Sequence, residues 1–178
     1  MTIDDSTRHQ IGAKVGLSTA MAAAAALIGH DDLTPAQAHE LARLSAMLEV
    51  AFLAAAADGE INDAEADNLG ATLGGWLGIE LSEDAVEVLI DGFIERLEAE
   101  GRDARLAAVA TVLDPESRRI AYTLACVVVL CDLELHDHEL DVLGLIATGL
   151  ELGQEEAQQT FEEVQDHVET VIANARPA

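Results

Sequence analysis

Basic residues are scarce in this sequence, and their scarcity argues against several functions. The 178 residues include nine lysines and arginines against 34 aspartates and glutamates, which gives a formal net charge of −25. Nucleic-acid binding requires a basic footprint, and anionic membranes attract polybasic segments, so we expect neither partner. With Lys14 as the single lysine, Schiff-base and phosphate-binding lysine chemistry has little to use. The charge suits cations, metal ions or a basic protein, and it also keeps a protein soluble.

Aromatic residues and cysteines are also few. Aromatics make up 3% of the chain and hydrophobic residues 50%, so the apolar mass is mainly Ala, Leu, Val and Ile. Because Ala and Leu are strong helix formers, the composition predicts an all-helical fold. Cys126 and Cys131 lie five residues apart in one predicted helix and cannot bridge each other, which is typical of a reducing compartment. The apolar run 20–28 is too short to span a bilayer, so we expect a cytoplasmic protein.

One acidic stretch occurs twice, and the chain is organised around it. Residues 57–70 and 131–144 align without a gap. The identical pairs are Asp58/Asp132, Glu60/Glu134, Asp63/Asp137, Glu65/Glu139, Asp67/Asp141, Leu69/Leu143 and Gly70/Gly144. Each copy follows a long apolar run, 41–57 or 120–131, which we interpret as a central helix. A turn repeated at the same point between two helices indicates a duplicated architecture.

Capping signals and helical periodicity define the other expected elements. Helices are predicted over residues 11–28, from the first acidic turn to about 77, from Ser82 to Gly101, over 104–113, and from about Glu155 to 173. Thr34-Pro35-Ala36-Gln37 reads as a capping box that opens the first central helix, and Asp114-Pro115 opens the second. After the second acidic turn, a helix should turn these side chains inward: Leu140, Leu143, Ile146 and Leu150.

The acidic turns have two interpretations that the residues alone leave open. In the first, Asn62 caps the next helix, and Asp63 and Glu65 stabilise its first turn. That account suits Asp58 and Asp132 less well, because each follows a helix C-terminus, where negative charge is disfavoured. In the second interpretation, carboxylates and helix-end carbonyls form an oxygen-rich site for a hard cation such as calcium or magnesium.

The second copy adds His136 and His138, which would shift a metal preference toward zinc. The spacing is not that of an EF-hand, since Leu69 and Leu143 stand where its bidentate Glu is required. A metal-dependent hydrolase using carboxylates and a histidine is a further hypothesis. It has little support, because no nucleophile elbow, Walker loop or HExxH helix is present.

The sequence resembles the TerB family of tellurite-resistance proteins. The resemblance rests on AADGEINDAE at 56–65, LDPESRRIAYTLACVVVLCDLELHDHE at 113–139 and the following LDVLGLIATGLEL, and it covers about residues 40 to 153. It implies a compact, single-domain helical bundle of about seven to eight helices in two pseudo-symmetric halves, each with a helix–acidic turn–helix unit. Leu133 departs from the pattern, because the family has a glycine there, and this puts an identical second site in doubt.

The resemblance also implies a function. The chain would be a non-enzymatic component of a bacterial tellurite-resistance or chemical-stress system, acting through protein partners and binding divalent cations at the two turns. By position, the implied residues include Asp58 and Glu65 in the first turn and Asp132 and Glu139 in the second. Glu60 and Glu134 complete our candidate metal site, and we expect no catalytic residue and no other cofactor.

The competing hypothesis is an acidic helical interaction module without a metal role. For the chain as a whole, we expect an N-terminal helical extension over 1–33, a TerB-like domain over 34–153, and a C-terminal helix over 154–178 packed on that domain. The oligomeric state stays open.

Overall fold

The protein is helical throughout the part that its structure, a computed structural model, describes. Described are residues 33–56, 61, 66, 69–73, 76, 83–131 and 137–175, without the side chains of 83–86, 137–139 and 175. Six helices have defined bounds: α1 Pro35–Ala55, α2 Glu83–Glu100, α3 Arg102–Val112, α4 Pro115–Cys131, α5 Asp137–Gly149 and α6 Gln154–Ala175. Residues 66, 69–73 and 76 are also helical. The predicted all-α fold is confirmed.

Two predicted features lie partly or wholly beyond these residues. The N-terminal helix over 11–28 lies outside the described part of the chain. The helix expected after the first acidic turn is described only at 66, 69–73 and 76. Pseudo-symmetry between two halves therefore stays a prediction.

Helices α1 and α4 form the centre of the molecule, as the two long apolar runs predict. Every residue of α1 from Ala46 to Ala54 is buried, including Glu49. Helix α4 is buried over most of its length, and its valines lie in a helix rather than in a strand. The contact between α1 and α4 is the most extensive between any two of the six helices. The expected capping box is present, since Thr34 N–H donates to Gln37 Oε1 at 2.9 Å and Gln37 N–H to Thr34 Oγ1 at 3.3 Å.

The two central helices run in the same direction. Arg43, in the N-terminal half of α1, approaches the carboxylate of Asp114 at 3.3 Å, directly before α4 begins. The residues of α1 before Leu44 are exposed or half-buried and those after it are mostly buried, so we infer that α4 packs along the second half of α1. Helix α3 runs the opposite way along α1, because its first residue, Arg102, contacts Ala56 at the C-terminus of α1. Ala56 and Cys131 therefore face one end of the pair, which we call the turn end, and Arg43 and Asp114 mark the other, the closed end.

A single arginine joins three helices at the closed end. Arg118 in α4 donates from Nε to Leu113 O at 3.1 Å, from Nη2 to Ala110 O at 2.8 Å, and from Nη1 to Leu150 O at 3.4 Å. Its Nη1 also contacts the carboxylate of Glu151. The last carbonyls of a helix have no partner within the helix. Arg118 supplies donors to the C-terminal regions of α3 and α5 together and fixes both against the start of α4.

The end of α5 uses a left-handed residue. Glu151 has φ 58°, the only positive φ of a non-glycine residue among those described. The chain then closes with a hydrogen bond of 3.0 Å from Leu152 N–H to Ala147 O, the pattern of a Schellman motif. Glycine would take this conformation without a Cβ penalty, and Glu151 takes it while its side chain contacts Arg118.

One predicted inward residue is wrong. Leu143, Ile146 and Leu150 are buried, but Leu140 is 45% exposed. The i, i+3, i+4 spacing identifies one face of a helix, but it does not tell how far along the helix that face is covered, and the position of Leu140 in the first turn of α5 is left partly open. Leu145, on the same helix, is 51% exposed.

Helix α6 packs on α4 and completes the described core. Ala157, Val164 and Val168 are buried, while Phe161 is partly buried. No helix in the described ranges is long and apolar enough to cross a membrane.

Candidate functional site

The predicted ligands follow in sequence from the two helix ends, Ala56 and Cys131, that define the turn end. Five of the six, Asp58, Glu60, Glu65, Asp132 and Glu134, lie outside the described residues. Glu139 belongs to α5, but its side chain is outside the described set, and His136 and the side chain of His138 are too. The six-residue assignment thus stays a prediction. The helix ends that lead into the two turns, Ala56 and Cys131, are described.

Helix α1 ends against an arginine. Ala56 is the C-cap of α1, and its backbone N–H donates to Phe52 O at 2.9 Å. Arg102 donates from Nη2 to the carbonyl oxygen of Ala56. The C-terminus of a helix carries partial negative charge, so the guanidinium is placed where that charge is greatest. The first acidic turn begins at the next residue.

A glycine and a buried ion pair fix the position of Arg102. Gly101 alone separates α2 from α3, with φ 82°, a conformation that glycine adopts without strain. One turn after Arg102, Arg105 donates from Nε to Glu49 Oε1 at 2.6 Å and from Nη2 to Glu49 Oε2 at 3.0 Å. This fork-to-carboxylate geometry is the strongest form of the pair. Arg102 and Arg105 together attach the first turns of α3 to the C-terminal half of α1.

Glu49 is a buried carboxylate held between helices. Its relative exposure is 4%, and its Oε2 lies 3.6 Å from Arg96 Nε in α2. The hydrogen bonds with Glu49 raise the pKa of Arg105 above its usual value, although burial opposes this. Arg105 also donates to Glu100 Oε2 at 3.1 Å. A buried carboxylate needs such partners, because an unpaired charge is very costly away from water. Glu49 therefore couples α1 to α2 and α3 close to the turn end.

Arg96 is itself oriented by an aromatic contact. Its guanidinium carbon lies 5.0 Å from the centroid of the Phe93 ring, within cation–π range. Phe93 in turn packs on Phe52 of α1, with ring centroids 5.4 Å apart. Two of the few aromatic residues thus secure α2 against α1 beside Glu49.

The thiols in α4 are chemically quiet. Cys126 and Cys131 are both free and buried, as the sequence predicts for residues that cannot bridge each other. Burial raises the pKa of the Cys126 thiol to about 12. Burial also raises the pKa of Tyr122, which shares a hydrogen bond with Cys126. Neither group acts as an acid or base near neutral pH.

Trp76 is a further buried group, and it follows the first acidic turn in the sequence. It is 2% exposed and belongs to the core. As the only tryptophan in the chain, it provides a spectroscopic reporter of the core.

The described residues do not themselves assemble a metal centre. Among them, no group of three or more His, Cys, Asp or Glu side chains is arranged to hold an ion. At the turn end they provide electrostatic contacts instead: Arg102 donates to the carbonyl of Ala56, and Arg105 pairs with the buried Glu49.

Sequence reasoning missed the groups around Glu49. A carboxylate inside the apolar run Met47-Leu48-Glu49-Val50-Ala51 is a signal of a buried ion pair. A second signal was that three of only nine basic residues fall within ten positions, at Arg96, Arg102 and Arg105. Which helix they would contact depends on tertiary packing.

Comparison with protein-family models gives one match that covers both acidic turns. The model described as "Tellurite resistance protein TerB" matches residues 44–161. This range is about two thirds of the chain, and it includes most of α1, the whole of α2 to α5, and the first part of α6. Neither the comparison with curated proteins nor that with solved structures gives a match. The family match spans well over half of the sequence, and the chain therefore belongs to the TerB family of tellurite-resistance proteins.

Proposed function

We propose that this protein is a non-enzymatic, cytoplasmic component of a tellurite-resistance or chemical-stress system that binds divalent cations at its two acidic turns and acts through protein partners. The observation that carries the proposal is the family match, because residues 44–161 contain both acidic turns and both central helices. The candidate ligands are Asp58, Glu60 and Glu65 in the first turn and Asp132, Glu134 and Glu139 in the second.

The parallel course of α1 and α4 supports a shared location for the turns. Both turns continue from helix ends that face the turn end of the pair. Residues 57–67 and 132–141 each contain five aspartates and glutamates and no lysine or arginine. Carboxylates that lie close together repel one another, and a divalent cation between two such turns would relieve the repulsion.

The test is thermal unfolding of metal-stripped protein with and without calcium, magnesium or zinc. A cation that binds only the folded state raises stability by about 2.7 kcal/mol at a hundredfold excess over its dissociation constant. For a chain of this size we expect the melting temperature to rise by roughly 5–10 °C. The rise should vanish in the Asp58→Ala/Asp132→Ala double variant.

A matched control separates binding at the turns from general screening of charge. Glu155→Ala/Glu156→Ala removes two exposed carboxylates from α6, far along the chain from either turn, and it should retain the full rise. An unchanged melting temperature at millimolar concentrations of all three metals would contradict the cation role. An equal loss of the rise in the α6 control would assign the effect to overall charge.

The second candidate is an acidic interaction module with no metal role. The observation that favours it is the exposed pair Leu140 and Leu145 on α5, which flank the exposed carboxylate Asp141. Such a surface suits a partner with apolar and basic side chains. Partners captured equally well by wild-type protein and by the Asp58→Ala/Asp132→Ala variant, but lost from Leu140→Ser/Leu145→Ser, would support this function.

A further inference from the structure

The outer side of α3 and the adjoining side of α5 form a surface without charged residues. The two helices are in contact, and Gly149 of α5 lies so close to Leu106 of α3 that an added Cβ would meet the leucine side chain at 3.1 Å. Beside that contact, six uncharged residues are exposed or half-buried: Ala107, Ala108, Thr111 and Val112 of α3, and Leu145 and Thr148 of α5. Two of them are large and apolar, since Val112 is 37% exposed and Leu145 is 51% exposed. We call these six residues the α3–α5 face.

The α3–α5 face has an acidic edge toward the turn end. Asp103 in the first turn of α3 and Asp141, one turn before Leu145 in α5, are both exposed. Helix α3 starts beside Ala56 at the turn end and finishes at Val112, next to the closed end. The face therefore carries carboxylates on its turn side and no charge on its closed side. An occupant that matches it is apolar over most of its length and basic at one end.

The chain itself contains one segment of that composition. Residues 6–30 are its longest stretch without aspartate or glutamate, although the chain has 34 such residues. This stretch includes Arg8 and Lys14 in its first half and continues into the apolar run 20–28. The helix that the sequence predicts over 11–28 is thus basic near its start and apolar at its end. It precedes the described residues, which begin at 33.

The connection to α1 sets the direction in which this segment can lie. Only residues 29–34 separate the predicted helix from Pro35, and connections of two to eight residues join antiparallel neighbours in helical bundles. A helix antiparallel to α1 is parallel to α3, because α3 itself runs opposite to α1. Its apolar end then lies at the closed end, while Arg8 and Lys14 lie toward the turn end. The charge pattern of the segment matches that of the α3–α5 face in this direction.

The lengths agree with this placement. At 1.5 Å per residue, α1 begins about 12 Å before Arg43, and α3 extends about 14 Å from Val112 back to Asp103. The start of α1 is thus about 26 Å from Asp103 along the helix axes. A helix from Lys14 to Ile28 covers about 21 Å, and the four-carbon stem of the lysine spans most of the remainder.

We propose that residues 11–28 dock as a helix on the α3–α5 face of the same chain, with Lys14 beside Asp103 and Asp141. The inference goes beyond the proposed function, since neither acidic turn takes part in it. Docking buries the exposed side chains of Val112 and Leu145 and places a basic residue against two carboxylates. Because Leu145 also belongs to the surface offered to a partner by the second candidate function, the docked segment would compete with that partner.

The experiment measures how well the face is covered in the full chain. A cysteine introduced by Ala107→Cys is alkylated with iodoacetamide, and the rate is divided by the rate in urea-unfolded protein. Ala99→Cys is the matched reporter, because Ala99 is exposed on a different helix, α2. We expect Ala107→Cys to react at least about tenfold more slowly than Ala99→Cys, since a docked helix must open before the reagent enters. Cys126 and Cys131 are buried, so alkylation of either would report unfolding.

Prolines in the segment should remove this protection. Ala22→Pro/Ala24→Pro breaks the predicted helix, because proline is not tolerated in a helix interior. Ala107→Cys should then react about as fast as Ala99→Cys. The control Thr2→Pro/Ser6→Pro adds two prolines before the predicted helix and should leave the protection intact. If Ala107→Cys fails to fold, Thr148→Cys reports on the same face from α5.

The direction of the segment has its own test. Lys14→Glu should lower the protection of Ala107→Cys by about threefold at low salt, because it places a carboxylate beside Asp103 and Asp141. Adding Asp103→Lys should restore the protection, since a pair of opposite charges is formed again. Arg119→Glu makes the same change of net charge at an exposed position on α4 and should have no effect. Protection that does not respond to Lys14→Glu would overturn the proposed direction.

The same reporter distinguishes the possible occupants of the face. Equal rates for Ala107→Cys and Ala99→Cys in the otherwise unaltered chain would overturn the inference, because the face would be open. Protection that survives Ala22→Pro/Ala24→Pro would also overturn it. In that case a rise of protection with protein concentration would assign the cover to a second copy of the chain, and its absence would assign it to another part of the same chain. None of these outcomes depends on whether the acidic turns bind a cation.

Discussion

At both ends of the α1–α4 pair an arginine donates to carbonyls at a helix C-terminus, but the sequence around the two ends differs in charge. At the closed end, Arg43 and Arg118 each meet a carboxylate, from Asp114 and Glu151, and Arg118 also serves three helix carbonyls. At the turn end, Arg102 donates to the carbonyl of Ala56, while the sequence that follows the two helices adds ten carboxylates, five in each turn, and no lysine or arginine. Charge is close to balanced among the described contacts of the closed end, whereas the sequence that continues from the turn end is strongly acidic.

The difference leads us to expect a structural role for the closed end and the proposed cation-binding role for the turns. Arginines at the closed end satisfy backbone groups that would otherwise be left without partners, which is a structural task. The sequence that continues from the turn end carries a surplus of negative charge, and close carboxylates lower stability through repulsion. Under the proposed function, a divalent cation or a partner neutralises that surplus. Variants that disturb each end separately test this division.

The largest expected effect comes from Glu49, which anchors the helices beside the turn end. Glu49→Ala should lower the free energy of unfolding by about 3–5 kcal/mol, since it leaves Arg105 partly buried without its main partner. Urea denaturation measures this. The control is Glu100→Ala, which removes an exposed carboxylate from the same arginine and should cost less than about 1 kcal/mol. Equal losses in the two variants would contradict a special role for the buried pair.

At the closed end, Arg118→Ala should be the next most damaging change. It removes the donors of three backbone carbonyls, for an expected loss of about 2–3 kcal/mol in urea denaturation. Its neighbour Arg119 is exposed, and Arg119→Ala should change stability by less than about 0.5 kcal/mol. Calcium binding at the turn end should persist in folded Arg118→Ala protein. A loss of binding there would mean that the two ends are coupled.

A smaller effect is expected at Asp114, the N-cap of α4. Its carboxylate accepts from Ser117 N–H at 2.8 Å, and that hydrogen bond is the main reason that its pKa lies below the ordinary value of 3.8. Asp114→Ala should cost about 1 kcal/mol at pH 7. Because the folded-state pKa is lowered, the contribution is complete above about pH 4 and is lost as the pH falls through the folded-state value.

Unfolding measured at pH 7 and pH 3 checks the sign. The difference between wild-type and Asp114→Ala protein should be smaller at pH 3 than at pH 7. A constant difference at both values would show that the carboxylate charge is not what caps the helix. Asp114→Asn, which retains a capping side chain, should lose less stability than Asp114→Ala at pH 7.

Local signals in the sequence predicted local structure well. The capping box at Thr34 and the Asp114–Pro115 start are confirmed, because a cap depends on residues within one turn of itself. The central helices could be recognised because apolar residues occupy all sides of them, whereas a helix with one buried face needs only one apolar stripe. The burial of Leu140 was predicted wrongly, because it depends on elements elsewhere in the chain and not on residues within one turn.

The arginine contacts show where sequence reasoning stops for the candidate site. Arg102 and Ala56 lie 46 positions apart, and Arg118 reaches 32 positions to Leu150. No periodicity or motif encodes such pairs, because they depend on the directions in which helices cross. The six acidic ligands were selected from the repeat, and their role stays a prediction that the metal titrations test.

The buried thiols of α4 have a consequence for oxidative chemistry. Oxidation of cysteine starts from the thiolate and proceeds fastest at exposed, acidic thiols. Cys126, with its pKa raised to about 12, presents almost no thiolate at neutral pH, and Cys131 is buried as well. Thiol-reactive oxidants should therefore leave both sulfurs reduced as long as the helices stay packed, so the core resists oxidants that attack exposed cysteines.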